Sequence, residues 1–201
     1  GVEPMTVTFK LQPADAQAIA RGRFAIHRGR LEADAALEHA SGQPATSVLV
    51  MLEEAKGPED ALRWANQVIA NPSPQQQFEM PLILEARADL AAKLGQIEEA
   101  IAGYDQAAQA WGIPMGTWGA RRKKAVLLIE AGRLDEARRL TRSWNLSAEA
   151  HARRAAMDVA SVYATFGDQG EARRLLERVQ SIADTREQAT SMLQSLRSIP
   201  S

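Results

Sequence analysis

The sequence contains no cysteine, which excludes disulfide bonds, thiolate metal sites and cysteine nucleophiles. Its histidines, His27, His39 and His151, do not occur in a spacing such as H-E-x-x-H, which places two metal ligands on one helical face. No glycine belongs to a phosphate-binding G-x-x-x-x-G-K-[ST] loop, and no strand-glycine-helix unit is present to hold a dinucleotide. We therefore predict no metal, no cofactor and no enzymatic activity.

Long apolar runs are also absent. No segment approaches the roughly 20 apolar residues that cross a bilayer, and the N-terminus has no basic segment followed by an apolar one. Hydrophobic residues make up 45% of the chain and charged residues 24%, which is typical of a folded globular protein. We expect no membrane insertion and a cytoplasmic location, with a mature periplasmic form or a fragment of a longer chain left open.

The charge of the chain is nearly balanced but unevenly distributed. The net charge of -1 gives no global argument for binding nucleic acid. Residues 1–100 carry 9 basic and 14 acidic side chains, whereas residues 101–201 carry 15 and 11. The basic C-terminal half leaves a nucleic-acid-linked regulator as a less favoured function. Its densest basic stretch, GTWGARRKK at 116–124, is interpreted mainly as a solvated basic turn whose long side chains lie over Trp118, and secondly as a surface that binds an anion or an acidic partner.

Helical periodicity covers nearly the whole chain after a short alternating segment, VTFKL at 7–11. Glycines recur where one helix-like stretch ends and another begins, as expected for left-handed helix ends. We predict an all-α protein with an extended segment at 1–12 and a single helical-repeat domain at 13–198. Its hairpins are predicted at about 13–41, 44–70, 75–111, 117–144 and 147–182, followed by a capping helix at 184–198.

The second halves of three hairpins align with one another. They read GQIEEAIAGYDQA from Gly95, GRLDEARRLTRSW from Gly132 and GDQGEARRLLERV from Gly167, at spacings of 37 and 35 residues. A fixed period of this length indicates a helical repeat protein. Within this alignment Ala100 and Ala172 are predicted to be positions where two helices cross closely.

Residues 75–182 resemble the tetratricopeptide repeat (TPR) family of helix-turn-helix units. The third hairpin carries the small residues, glycine and aromatic that typify this family: Ala88, Gly95, Ala100, Tyr104 and Ala107. The resemblance implies an α-solenoid of antiparallel hairpins whose first helices line a concave groove. It also implies a non-enzymatic scaffold that binds a peptide or a partner protein in that groove.

The resemblance implies nine groove positions in this chain, and seven of them, all except Ala92 and Ile129, are predicted to bind the partner. These predicted partner-binding residues are Glu85, Asp89, Arg122, Val126, Arg154, Met157 and Ser161. They place acidic side chains on one hairpin and basic side chains on the next two, so charge would orient a bound partner. A homo-oligomeric assembly component, in which one copy pairs with another, is the alternative function.

Overall fold

The computed structural model describes residues 44–182 and 186–197. This part of the chain forms nine α-helices and no strand. The helices are α1 Ala45–Lys56, α2 Pro58–Ala70, α3 Pro74–Lys93, α4 Ile97–Ala110, α5 Pro114–Glu130, α6 Leu134–Arg142, α7 Ala150–Thr165, α8 Gln169–Gln180 and α9 Arg186–Arg197. The predicted all-α fold is confirmed. The extended segment at 1–12 and the hairpin at 13–41 lie outside the described residues.

Three of the turns between helices have the same geometry, and glycine is the reason. Gly95, Gly132 and Gly167 have φ angles of 72°, 73° and 86°, in the left-handed region that side chains with a Cβ rarely adopt. At the first of these turns the amide of Gln96 donates to the carbonyl of Ala91 at 2.9 Å, which closes the helix end. The other two turns repeat this bond, so the aligned glycines of the sequence mark one repeated turn.

The chain has two compact units, which divide between Glu79 and Met80, within α3. Pro81 lies inside that helix two residues beyond the division, where it removes one backbone hydrogen-bond donor. In the first unit α1 packs against α2. The predicted single domain at 13–198 stays a prediction.

The second unit stacks its helices in chain order. A small cluster joins α3, α4 and α5 through Ala88, Ala91, Ala100, Tyr104 and Leu127. A larger core then joins α5 to α7, α8 and α9 and includes the fully buried Ile129, Val159, Tyr163, Leu175 and Leu176. Because α5 contributes to both clusters, each hairpin buries its apolar side against the next one, as in helical repeat proteins.

The last helix covers the end of this stack. In α9, Ala189 is fully buried and Leu193 is 8% exposed, and both belong to the larger core. The predicted C-terminal capping helix is therefore confirmed.

Close helix packing depends on alanine and glycine. Ala100 and Ala172 are both fully buried, in agreement with the predicted crossings. α3 and α4 also approach closely at Gly103, where an added Cβ would come within 2.8 Å of the Cβ of Ala88. The sequence interpretation missed this glycine, although it stands within the same small-residue stripe.

Candidate partner-binding surface

The predicted acidic residues of α3 are held together by one lysine. Lys123 of α5 places its Nζ 2.8 Å from Glu85 and 2.6 Å from Asp89. Trp111 Nε1 donates to the same Glu85 carboxylate at 3.0 Å, and the Tyr104 hydroxyl donates to Asp89 at 2.7 Å. These two carboxylates therefore bind α3 to α4 and α5, and their combined charge with the lysine is reduced to -1.

The pKa values at this cluster follow from burial and hydrogen bonding. Burial by itself would lower the pKa of Lys123, but hydrogen bonds to Asp89 and Glu85 outweigh it and raise the pKa above the ordinary lysine value. Burial, followed by the hydrogen bond to Asp89, raises the pKa of Tyr104. Lys123 is therefore charged and Tyr104 is neutral at physiological pH, which keeps the cluster intact.

The predicted basic residues share one carboxylate. Asp158 of α7 lies 3.8 Å from Arg122 of α5 and 3.4 Å from Arg154, which stands one turn earlier on its own helix. The side chain of Arg154 is 68% exposed and that of Arg122 is 38% exposed. Two guanidinium groups on one carboxylate leave a surplus positive charge at the surface.

The three remaining predicted residues differ in how much surface they offer. Ser161 is exposed, and its hydroxyl donates to the carbonyl of Met157 at 3.4 Å. Val126 is half-buried and packs against the larger core. Met157 is 3% exposed and belongs to that core. It can therefore shape this surface from below, while Arg154 and Ser161 project from it.

Lys123 and Asp158 complete these two clusters, and the sequence interpretation did not single out either of them. A signal existed for Asp158, because it stands four residues after Arg154 and such pairs meet on a helix. Lys123 adjoins the predicted Arg122, but its partners lie more than thirty residues away in the chain. Only the folded structure, which brings Lys123 of α5 to α3, reveals that pairing.

The basic stretch at 116–124 folds onto its neighbours. The guanidinium of Arg121 lies 4.7 Å above the ring centre of Trp118, as the favoured interpretation of this stretch predicted. Lys124 pairs with Asp105 of α4 at 2.6 Å. Trp118 itself meets the edge of Trp144 at a centroid distance of 5.4 Å. The stretch is thus tied into contacts with other helices.

The second helices form a separate set of ion pairs between hairpins. Arg138 of α6 approaches Asp168, which precedes α8, at 2.6 Å, and Arg142 approaches the buried Glu171 at 2.8 Å. Burial would raise the pKa of Asp168, but the hydrogen bond from Arg138 and the backbone amide of Glu171 lower it below its ordinary value. These contacts fasten one hairpin to the next.

A cavity of about 200 Å³ lies where α7, α8 and α9 meet. Its lining is mainly apolar and includes Ala160, Ala164, Leu176, Met192 and Leu196. Ser161, one of the predicted partner-binding residues, also lines it. The cavity therefore adjoins the surface that carries Arg154.

Neither a metal centre nor a membrane span is found in the described ranges. Residues 44–182 and 186–197 contain no group of three or more acidic or histidine side chains that could hold a metal ion. His151 is exposed on α7, and His27 and His39 lie outside the described residues. No helix in these ranges is both long enough and apolar enough to cross a membrane.

Comparison with known proteins identifies the fold. No protein-family model matches the chain, and no curated protein matches it significantly. A similar solved structure is the Q17M form of a Podosopora anserina kinesin light chain protein with nearly identical TPR-like repeats. It is 15% identical and has a TM-score of 0.52, over 89% of this chain and 99% of that one.

Two further solved structures are similar at TM-scores of 0.46. They are a thermophilic TPR protein of Thermus thermophilus, 14% identical over 92% of this chain and 100% of that one, and BtubC (BKLC) from P. vanneervenii, 14% identical over 92% and 84%. The first similarity, together with the repeated glycine turns, shows that this chain has a TPR-type fold. The predicted resemblance is confirmed at the level of the fold.

Proposed function

We propose that this protein is a non-enzymatic interaction module that binds a peptide or an extended segment of a partner protein. The binding surface is the one formed by α3, α5 and α7 at Glu85, Asp89, Arg122, Val126, Arg154, Met157 and Ser161, here named the first-helix surface. The observation that carries the proposal is the TPR-type stack of hairpins, because helical repeats of this kind present extended surfaces for binding.

The charges of the first-helix surface favour one orientation of a bound partner. The acidic end carries a net charge of -1, from Glu85 and Asp89 with Lys123. The other end carries +1, from Arg122 and Arg154 with Asp158. Complementary charges mainly set the orientation and the association rate of a partner. We therefore expect an acidic segment of the partner to lie against α5 and α7.

A selection from a random twelve-residue peptide display library on the full chain tests this function. Selected peptides are then labelled and their affinity is measured by fluorescence anisotropy. Replacing Arg122 and Arg154 together with glutamate should weaken binding about tenfold or more, since it removes one or two charge-assisted contacts, each contributing about 1.5 to 3 kcal/mol.

The matched control replaces Arg139 and Arg173 with glutamate. Both are exposed on second helices, α6 and α8, and their replacement changes the net charge by the same amount. The control should bind selected peptides nearly as well as the unaltered chain. The proposal fails if no peptide gives saturable binding, or if the control loses as much affinity as the Arg122 and Arg154 variant.

The remaining parts of the functional prediction need their own measurements. The homo-oligomeric alternative predicts a solution mass that is a multiple of the chain mass, which light scattering measures. A cytoplasmic location stays a sequence-based prediction.

A further inference from the structure

The cavity between α7, α8 and α9 has the dimensions of a receptor for one side chain. Pockets that hold drug-sized molecules have volumes of roughly 300 to 1,000 Å³. At about 200 Å³, this cavity is smaller than that range but large enough for a single bulky aliphatic group. Its size therefore favours one anchoring residue of a larger partner over a free small molecule.

The walls of the cavity are apolar, as an inserted aliphatic side chain of a partner peptide requires. Leu176 is 1% exposed and Ala160 is 1% exposed, and both form the interior wall. Met192 and Leu196 of α9 are half-buried and form the opposite wall. Methionine is flexible and polarizable, so it can adapt to the shape of the inserted group.

Two serines add polar atoms at the mouth of this cavity. Ser161 and Ser195 are exposed and come from opposite walls, α7 and α9. Each hydroxyl donates to a carbonyl of its own helix, at 3.4 Å for Ser161 and 3.1 Å for Ser195. The oxygen of the Ser161 hydroxyl, which donates in this way, still has lone pairs that can accept a peptide N–H group.

Positive charge stands at a defined distance from this mouth. Arg154 precedes Ser161 by seven residues on α7, which is two helical turns or roughly 10.5 Å along the axis. An extended chain advances roughly 3.3 Å per residue, so a peptide spans this distance in about three residues. Arg122 and Arg154 share Asp158, so the surplus positive charge lies on the Arg154 side of the cavity.

We propose that the cavity receives a leucine, isoleucine or methionine side chain of an extended partner peptide whose aspartate or glutamate, about three positions away, pairs with Arg154. The inference rests on the proposed function and deepens it, because it names the class of peptide that the first-helix surface accepts. The capping helix α9 then takes part in recognition as well as closing the stack.

The test combines the random peptide selection with variants that fill the cavity mouth. Ser161→Trp and Ser195→Trp each place an indole over the mouth from a different wall, so one remains informative if the other does not fold. Gln194→Trp is the matched control, since Gln194 is an exposed residue of α9 that does not line the cavity. Circular dichroism melting verifies the fold of each variant.

The expected result has two parts. Peptides selected on the unaltered chain should be enriched in an aliphatic residue about three positions from an acidic one. Their affinity should fall about tenfold or more in both mouth-filling variants, which corresponds to about 1.4 kcal/mol, and remain within about twofold in Gln194→Trp. Replacing the aliphatic residue of a selected peptide with serine should cause a similar loss on the unaltered chain.

The outcomes separate this inference from the function on which it rests. If selected peptides lose affinity in the Arg122 and Arg154 variant but bind the mouth-filling variants normally, the cavity inference is overturned and the proposed function stands. The cavity inference is also overturned if the selected peptides are not enriched in an aliphatic residue about three positions from an acidic one. If no peptide is selected at all, the proposed function fails and the inference fails with it.

Discussion

Replacing Gly103 with alanine should destabilise the protein, although alanine is the better helix former. The new Cβ would lie 2.8 Å from the Cβ of Ala88, whereas carbon atoms pack at about 3.5 to 4.0 Å. The obstacle is a methyl group fixed to the backbone of α3, so the two helices themselves must move apart. Such overpacking costs about 1 to 3 kcal/mol.

Two effects oppose each other in this substitution. Alanine in place of glycine inside a helix contributes about 0.5 to 1 kcal/mol of stability. The two ranges combine to a net loss of about 0 to 2.5 kcal/mol, and the central value of about 1.3 kcal/mol lowers the melting temperature by about 2.5 to 5 °C for a chain of this size. Thermal and urea unfolding followed by circular dichroism measure both quantities.

Gly119 provides the matched control for this experiment. It also lies inside a helix, α5, but an added Cβ would meet no atom within 4 Å. Gly119→Ala should stabilise the protein by about 0.4 to 1 kcal/mol. A stabilised Gly103→Ala variant would refute the close approach of α3 and α4. In the double variant Gly103→Ala, Ala88→Gly the contact is relieved, so stability should recover relative to Gly103→Ala alone. The absence of that recovery would also refute the close approach.

The remaining predictions concern other contacts of the second unit. Ala100→Leu and Ala172→Leu should each cost about 1 to 3 kcal/mol, because both sites are fully buried, and unchanged melting in both would contradict the repeat alignment. Lys123 has a raised pKa in the folded state, so its stabilisation is complete below the unfolded value of about 10.4 and is lost as pH rises through the folded value. In urea unfolding from pH 8 to 11.5, the free energy of unfolding should therefore fall more steeply with pH in the unaltered chain than in Lys123→Met. The lowered pKa of Asp168 gives stability the opposite dependence on pH. The stabilisation by Asp168 is present above its unfolded pKa of about 3.9 and is lost as pH falls through its folded pKa. The advantage of the unaltered chain over Arg138→Gln should shrink over that acidic range, and a constant difference would argue against the ion pair.

The turns and the helix order could be predicted because they depend on local chemistry. Glycine is required where the backbone turns left-handed, so Gly95, Gly132 and Gly167 report the hairpins directly in the sequence. The burial of Ala100 and Ala172 follows from the same alignment, since helices that cross closely need small side chains. A repeat supplies several copies of each signal, and agreement among the copies strengthens the prediction.

The contacts between hairpins could not be predicted in the same way. Whether Lys123 or Arg122 reaches α3 depends on the rotation of α5, and a difference of one residue turns a side chain by about 100°. Similarly, nothing in the sequence distinguishes Arg138 from its neighbour Arg139, yet Arg138 forms an ion pair with Asp168, which precedes α8. For this reason Arg139, and not Arg138, belongs in the control variant of the binding experiment.

The cavity shows the same limit at the level of the candidate site. Ser161 could be placed on the first-helix surface from the repeat alignment alone. Its position at the mouth of a cavity depends on Met192 and Leu196, which come from a helix outside the aligned repeats. No pattern in α7 indicates how α9 packs against it.

Amide hydrogen exchange of the full chain, with and without a selected peptide, tests the central claim most directly. If partners bind along the first-helix surface, the peptide should slow exchange in α5 and α7, at residues 114–130 and 150–165. Exchange in α6 at 134–142 should change little. Slowing confined to α6 and α8 would contradict the account, because it would place the partner on the second helices.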